Sequence, residues 1–213
     1  MSRVYLYALV SEPLQPFRVG GRSVRSLEID GIHAVVDRNI PDEGPSEAAL
    51  RRQHLIVEAI AARAAAVLPA RFGSLVDVAE VRDLVRVRRS AFEAALELVR
   101  DREQMTLRFP KVSQPTGIRR PSTGTAYLRA RRTAGLPDAA RLQRVREALA
   151  SLVRAERIQP GRGSFPAALF HLIDRGTAAA YRERVTALPP ADSMQPQITG
   201  PWPAFAFAPE LFG

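Results

Sequence analysis

Histidines, arginines and acids are the residues of this chain with the chemistry to catalyse or to grip a ligand, and their spacing limits what they can do. There are three His, at His33, His54 and His171. No two stand at metal-ligand spacing, and neither H-E-x-x-H nor H-x-H occurs. His54 falls on the apolar face of a helical pattern, and the other two fall in strand patterns. Each reads as a buried, hydrogen-bonded imidazole and not as a ligand or base. The absence of Cys excludes disulfides and thiolate metal sites. No phosphate-binding, dinucleotide-binding or nucleophile-elbow glycine motif is present. Gly161-Arg162-Gly163-Ser164 is too short for one, lacks a following helix, and reads as a turn. Asp42 and Glu43 sit among turn formers, and no carboxylate pair stands out for acid–base work. The expectation is a protein that is not an enzyme, with no metal and no cofactor.

Two arginine-bearing stretches remain. IRRPSTGTAYLRARR, residues 118–132, has five Arg and one Tyr. Arg side chains there could hold phosphates while Tyr127 stacks on a base, which is the nucleic-acid alternative. The competing reading, a solvated loop and helix start, is favoured. The net charge of +9 also raises nucleic acid as a partner. However, of 31 basic residues only Lys111 is lysine. Basic residues are interleaved with acids along the chain, the pattern of solvated faces. In VLPARFGSL, residues 67–75, Arg71 lies inside an apolar run. It is either an edge-strand residue with its head in water or it pairs with a carboxylate or with backbone carbonyls of the C-terminal tail.

The elements that must position these residues follow from periodicity. RVYLYALV, 3–10, is apolar on both alternating faces and reads as a central strand. Residues 13–23 read as loop. LEIDGIHAVVDR, 27–38, reads as a hairpin turning at Asp30-Gly31. Ser46 caps a helix with Leu50, His54, Val57, Ala61 and Ala64 on one face. VLPARFGSL is an edge strand or strand start. Asp77 opens a helix with the stripe Val81, Leu84, Val85, Phe92, Ala95, Leu96 and Val99. EQMTLRF, 103–109, alternates as a strand, and 110–125 is a long loop. A helix runs from Pro137-Asp138 to about residue 157, followed by a short strand over 157–160. FPAALFHLI, 165–173, is a buried strand. Thr177 or Gly176 caps a helix to about Leu188, and 194–199 reads as a last strand.

From residue 103 the order is strand, helix, strand, strand, helix, strand, that of a ferredoxin-like sandwich. The first half is also α+β, a sheet with helices on one face. The predicted organisation is therefore an N-terminal α+β domain over 1–101, a ferredoxin-like domain over 102–198, and a tail over 199–213. No apolar stretch is long enough to span a bilayer. The start of the chain reads as a strand rather than a signal peptide. A cytoplasmic protein is the simplest expectation.

The tail, ITGPWPAFAFAPELFG, holds the only Trp, three of nine Phe and three Pro. Chain ends usually fray and are usually polar. An apolar, proline-stiffened end is expected to dock, and the second face of strand 165–173 is its nearest candidate cover. Burying Trp202, Phe205 and Phe207 fully would stabilise docking by roughly 5–8 kcal/mol before ordering costs.

TGPWPAFAF at 199–207, LPARFG at 68–73 and GTAYLRARR at 124–132 resemble signatures of the GvpF/GvpL family of gas vesicle proteins. VYLYALV, GIHAVV and HLIVEAI are similar to the same family in the same order. The resemblance implies two α+β domains, the second a modified ferredoxin-like fold, with the C-terminal tail packed on the body. It implies an accessory or minor structural protein of gas vesicle assembly, located with the vesicle. Its partners would be the small hydrophobic shell protein and other accessory proteins. It gives no catalytic residues to carry over. Arg71, Phe72, Trp202, Phe205 and Phe207 are the residues expected to bind a partner or dock the tail. The strongly basic, nearly lysine-free composition departs from the family pattern.

Overall fold

The computed structural model describes residues 3–39, 44–109, 139–161, 167–189 and 196–209. The chain divides into two compact units, Met1–Glu103 with Trp202–Gly213, and Gln104–Pro201.

In the first unit, β2 (Phe17–Val19), β3 (Arg22–Ile29) and β4 (Ile32–Asp37) form an antiparallel meander, and β1 (Arg3–Val10) pairs antiparallel with β4. Val19 pairs with Arg22 and Ile29 with Ile32, so both hairpins turn on two residues. Gly20 and Gly21 have φ of 56° and 76°, and Asp30 and Gly31 have 49° and 83°. Two successive positive φ values are what a mirror-image turn between twisted strands needs, and Gly or Asp supplies them cheaply. The expectation of loop over 13–23 is therefore corrected: Gly20-Gly21 is a hairpin turn and Phe17–Val19 a short strand.

β1 is central, between β4 and a broken partner strand. β5 (Val67–Pro69) pairs with Ala8–Val10, and β6 (Leu75–Asp77) pairs with Arg3–Tyr5. Residues 70–74 loop out between these two pieces. Opposite, the register with β4 shifts between Leu6 and Ala8. Such a bulge breaks the two-residue alternation. As a result Tyr5 and Tyr7 before it, and Ala8 and Val10 after it, share one core with Ile56, Val57 and Ile60 of α1 (Glu47–Ala61).

Ser46 caps α1, its Oγ accepting from the Ala49 N–H at 3.1 Å. The buried face of α1 is Ala49, Gln53, Ile56, Val57 and Ile60, rotated from the predicted stripe. Leu50 is 51% exposed and His54 is half-buried. After Asp77 the structure has two helices where the sequence predicts one: α2 (Val78–Val87) and α3 (Arg89–Val99). Arg88, at φ −114° and ψ 23°, separates them. No Gly or Pro marks that break. The predicted stripe is otherwise kept, with Val81, Val85, Phe92, Leu96 and Val99 buried.

In the second unit, β7 (Arg102–Phe109), α4 (Ala139–Leu149), β8 (Val153–Gln159), β9 (Ala167–Asp174), α5 (Ala178–Thr186) and β10 (Gln197–Trp202) alternate in sequence. The sheet order is β10-β7-β9-β8. Leu142, Val145 and Leu149 of α4 and Tyr181 and Val185 of α5 pack with Met105, Leu107, Phe109, Leu169 and Ile173 of the sheet. α4 ends at Leu149, not near residue 157, and β8 begins earlier than predicted. The charged run VRAERIQ reads as helix because it lacks clear alternation. Its actual partner is β9, in antiparallel register from Val153–Ile173 to Gln159–Ala168.

Candidate functional site

Arg71 and Phe72 sit on the loop between β5 and β6, and the loop is held from below by polar contacts. Ala70 N–H donates to the Tyr7 carbonyl at 2.8 Å, and Leu6 N–H donates to the Ser74 carbonyl at 2.9 Å. Tyr5 Oη donates to Gln53 Oε1 at 2.5 Å and accepts from the Gly73 N–H at 2.8 Å. Gln53 Nε2 donates to the Ala70 carbonyl at 3.3 Å. A buried glutamine in an apolar helix face costs free energy unless its amide is satisfied. Here both ends of the amide are used to fix the loop. Burial first, opposed by the Gly73 hydrogen bond, raises the Tyr5 phenol above its ordinary pKa, so Tyr5 stays a neutral donor. Arg71 is exposed and Phe72 half-buried.

Phe72 and Gly73 form one wall of a cleft of about 150 Å3, with Tyr5, Tyr7, Ala49, Gln53 and Ile56 behind them and Arg22 and Arg52 among its lining. The Tyr5 and Tyr7 rings lie 4.9 Å apart, tilted by 44°. The Tyr7 phenol is raised further than that of Tyr5, again chiefly by burial, with the Asp37 charge adding.

Residues 202–209 belong to the first unit. Trp202 meets the His54 ring edge-on at 5.1 Å, and the Phe205 ring stacks near it at 6.5 Å. The 3-10 turn Phe205–Phe207 packs against β5. Phe207 is 1% exposed and is the tail's anchor, whereas Phe205 is 39% exposed and Trp202 half-buried. His54 also pairs with Glu58 Oε1 at 3.1 Å. It was read as an ordinary buried histidine and is instead the helix residue that receives the tail. Leu50 lies one helical turn before His54 on the same side and extends this apolar surface. A sequence signal existed: Leu50 and His54 are off the stripe that Ile56 and Ile60 define.

In the second unit, Gly200 has φ 111°, and a Cβ there would lie 2.6 Å from the Gln104 carbonyl oxygen. Only glycine lets β10 close onto β7 at that point. The Gly200 carbonyl accepts from the Arg182 guanidinium. His171 is buried, as predicted. Its Nε2 faces Glu156 Oε2 at 3.1 Å and its Nδ1 faces Tyr181 Oη at 2.6 Å. A carboxylate only accepts, so Nε2–H donates to Glu156, and Nδ1 is left to pair with the Tyr181 hydroxyl. Arg146 Nη2 donates to Glu156 Oε1 at 2.6 Å. A tyrosine–histidine–carboxylate chain could serve a nucleophile. Here Tyr181 and His171 are 0% and 1% exposed, so no substrate atom reaches them and the chain ties α4, α5, β8 and β9 together.

Among the described residues no group of three or more acids and histidines could hold a metal, and no helix is long and apolar enough to cross a membrane. The Arg-rich segment 118–132 and the pair Asp42 and Glu43 lie outside the described residues.

The mixed α/β architecture with antiparallel pairing is that of known gas vesicle proteins. The crystal structure of GvpF from Microcystis aeruginosa is similar with a TM-score of 0.74 at 14% identity, covering 98% of this chain and 100% of that one. GvpF from an Anabaena species is similar with a TM-score of 0.70 at 15% identity, covering 98% and 99%. The sequence itself matches the family described as gas vesicle synthesis protein GvpL/GvpF over residues 3–209, so the chain belongs to that family of gas vesicle proteins. No curated protein sequence matches it.

Proposed function

We propose that this protein is an accessory or minor structural component of gas vesicle assembly that binds the small, hydrophobic shell protein and either shields or nucleates it. Family membership over residues 3–209 carries the reading. The surface offered is apolar and one-sided: Leu50 and Phe205 are exposed beside Trp202 and His54, with Phe207 docking the tail beneath them. A wall subunit with one very apolar side would aggregate before assembly, and an exposed apolar patch on a partner is what would hold it. Phe72 and Arg71 form a second candidate contact. In the same reading the second unit is a modified ferredoxin-like domain, supported by its element order and by the sheet order β10-β7-β9-β8. The domains fall near 1–101 and 102–198.

The test is co-purification with the shell protein at low salt, comparing wild type with a Leu50→Ser/Phe205→Ser double variant. Retention by wild type and loss in the variant supports the reading. No retention by intact, folded wild type refutes it.

A further inference from the structure

Leu50, His54 and Glu58 are spaced four residues apart on α1, so they form one row along the helix. The tail lies against the middle of that row, with the Trp202 ring 5.1 Å and the Phe205 ring 6.5 Å from the His54 ring. The row therefore runs from an exposed aliphatic side chain, past two aromatic rings, to a carboxylate. That carboxylate is only partly used. Glu58 Oε1 meets His54 Nε2 at 3.1 Å, and the Glu58 side chain is 45% exposed. Among the described residues no other side chain pairs with it, which leaves Oε2 without a partner. Arg51, on the outward side of the same helix, is already held by Glu47.

These groups define what fits. A carboxylate oxygen only accepts hydrogen bonds. The faces of Trp and Phe rings attract a cation that comes within about 6 Å of the ring centre. One cationic side chain answers both, whereas a neutral donor answers only the first. Leu50, 51% exposed, and the open part of Phe205 call for an aliphatic side chain beside that cation. The spacing agrees. One helical turn separates His54 from Glu58, a rise of about 6 Å. Residues two apart in an extended segment project to one side about 7 Å from each other. With a net charge of +9, much of the molecule repels a cationic segment. A carboxylate with no arginine partner, set beside an apolar patch, is where such a segment gains instead.

We propose that the row of Leu50, His54 and Glu58, with the Trp202 and Phe205 rings beside it, is a docking site for a partner segment that carries an aliphatic side chain and, two residues on, an arginine or lysine that reaches Glu58 across the aromatic rings. The proposal rests on the reading of this surface as the one that holds another polypeptide. It goes further in assigning the partner a charge: the segment is cationic as well as apolar, and Glu58 selects it.

Trp202 is the only Trp of the chain, so its fluorescence reports on this site. The test titrates the full chain with acetylated, amidated pentapeptides that have no aromatic residue. One has the sequence Ala-Leu-Ala-Arg-Ala. In a second the neutral isostere citrulline replaces Arg, and in a third Glu replaces it. The Arg peptide is expected to shift the Trp202 emission saturably and to bind about threefold to tenfold more tightly than the citrulline peptide, with the Glu peptide weakest. Added salt should erode that advantage. Glu58→Gln should bring the Arg and citrulline peptides to equal affinity. Because the His54–Glu58 pair is exposed, the urea midpoint of that variant should hardly move. Glu47→Gln alters another acid of the same helix and should leave the preference for Arg intact. A titration that does not saturate, equal affinity of wild type for the Arg and citrulline peptides, a preference that survives in folded Glu58→Gln, or one lost in folded Glu47→Gln would overturn the proposal. Shell-protein retention is a separate measurement. Retention without a preference for Arg removes this proposal and leaves the functional reading standing, whereas a preference for Arg without retention removes only the shell protein as the partner.

Discussion

Glu156 is directly opposite His171 in the β8–β9 ladder and within reach of Arg146 on α4. The His171 hydrogen bond is the main reason its carboxyl sits at about 2 instead of the ordinary 4.5, with burial opposing and Arg146 assisting. A depressed folded-state value stabilises the protein above the unfolded value and ceases to do so as the carboxylate protonates. The stabilisation from Glu156 is therefore complete above about pH 4.5 and lost as the pH falls toward about 2. Glu156→Gln should flatten that part of the acid limb in pH-dependent urea unfolding, and a variant with the wild-type slope would show that the pair is idle. The burial of His171 was legible from its apolar neighbours Leu169 and Leu172. Its partners were not, because Glu156 and Tyr181 reach it only through strand register and helix docking.

Among the elements, those with local signals were readable and those set by packing were not. Asp30-Gly31 announced a hairpin because the dipeptide itself adopts the turn. Gly20-Gly21 does the same work but follows two prolines, and the whole stretch read as loop. α1 was placed correctly by Ser46, yet its buried face was misassigned. Gln53 is not among the residues of the predicted stripe, and its burial depends on Tyr5 and Ala70 lying far away in sequence. The mirror case is Gly200, whose role is invisible in sequence because it depends on the approach of β7. Gly200→Ala would drive a methyl group against the Gln104 carbonyl. Gly176 shares a positive φ, 82°, with nothing within 4 Å of an added Cβ. Both alanine variants pay for left-handed backbone, but Gly200→Ala should cost about 1–3 kcal/mol more from overpacking. Equal urea midpoints would show that β10 shifts to make room.

At the scale of the whole molecule, the tail shows how docking and exposure divide a single motif. The sequence suggested three buried aromatics, but the structure fully buries one: Phe207 is 1% exposed, Trp202 is half-buried, and Phe205 is 39% exposed. The stabilisation by docking is accordingly smaller than full burial of three rings would give. The same three rings thus fall into two roles that mutation can separate. Phe207→Ala leaves a cavity against β5 and should destabilise the protein by about 3–5 kcal/mol. Phe205→Ala removes a ring that is 39% exposed and should cost clearly less, about 1–2 kcal/mol. If the surface at His54 is where the shell protein is held, Phe205→Ala weakens that binding with a fall in the unfolding midpoint clearly smaller than that of Phe207→Ala. Phe207→Ala weakens both, because it releases the turn that presents Phe205. A Phe205→Ala protein that keeps full shell-protein binding, with Phe207→Ala destabilised as expected, would reduce the aromatic tail to a structural clasp. Partner recognition would then have to lie elsewhere on the molecule, with the loop that carries Arg71 and Phe72 the next place to look.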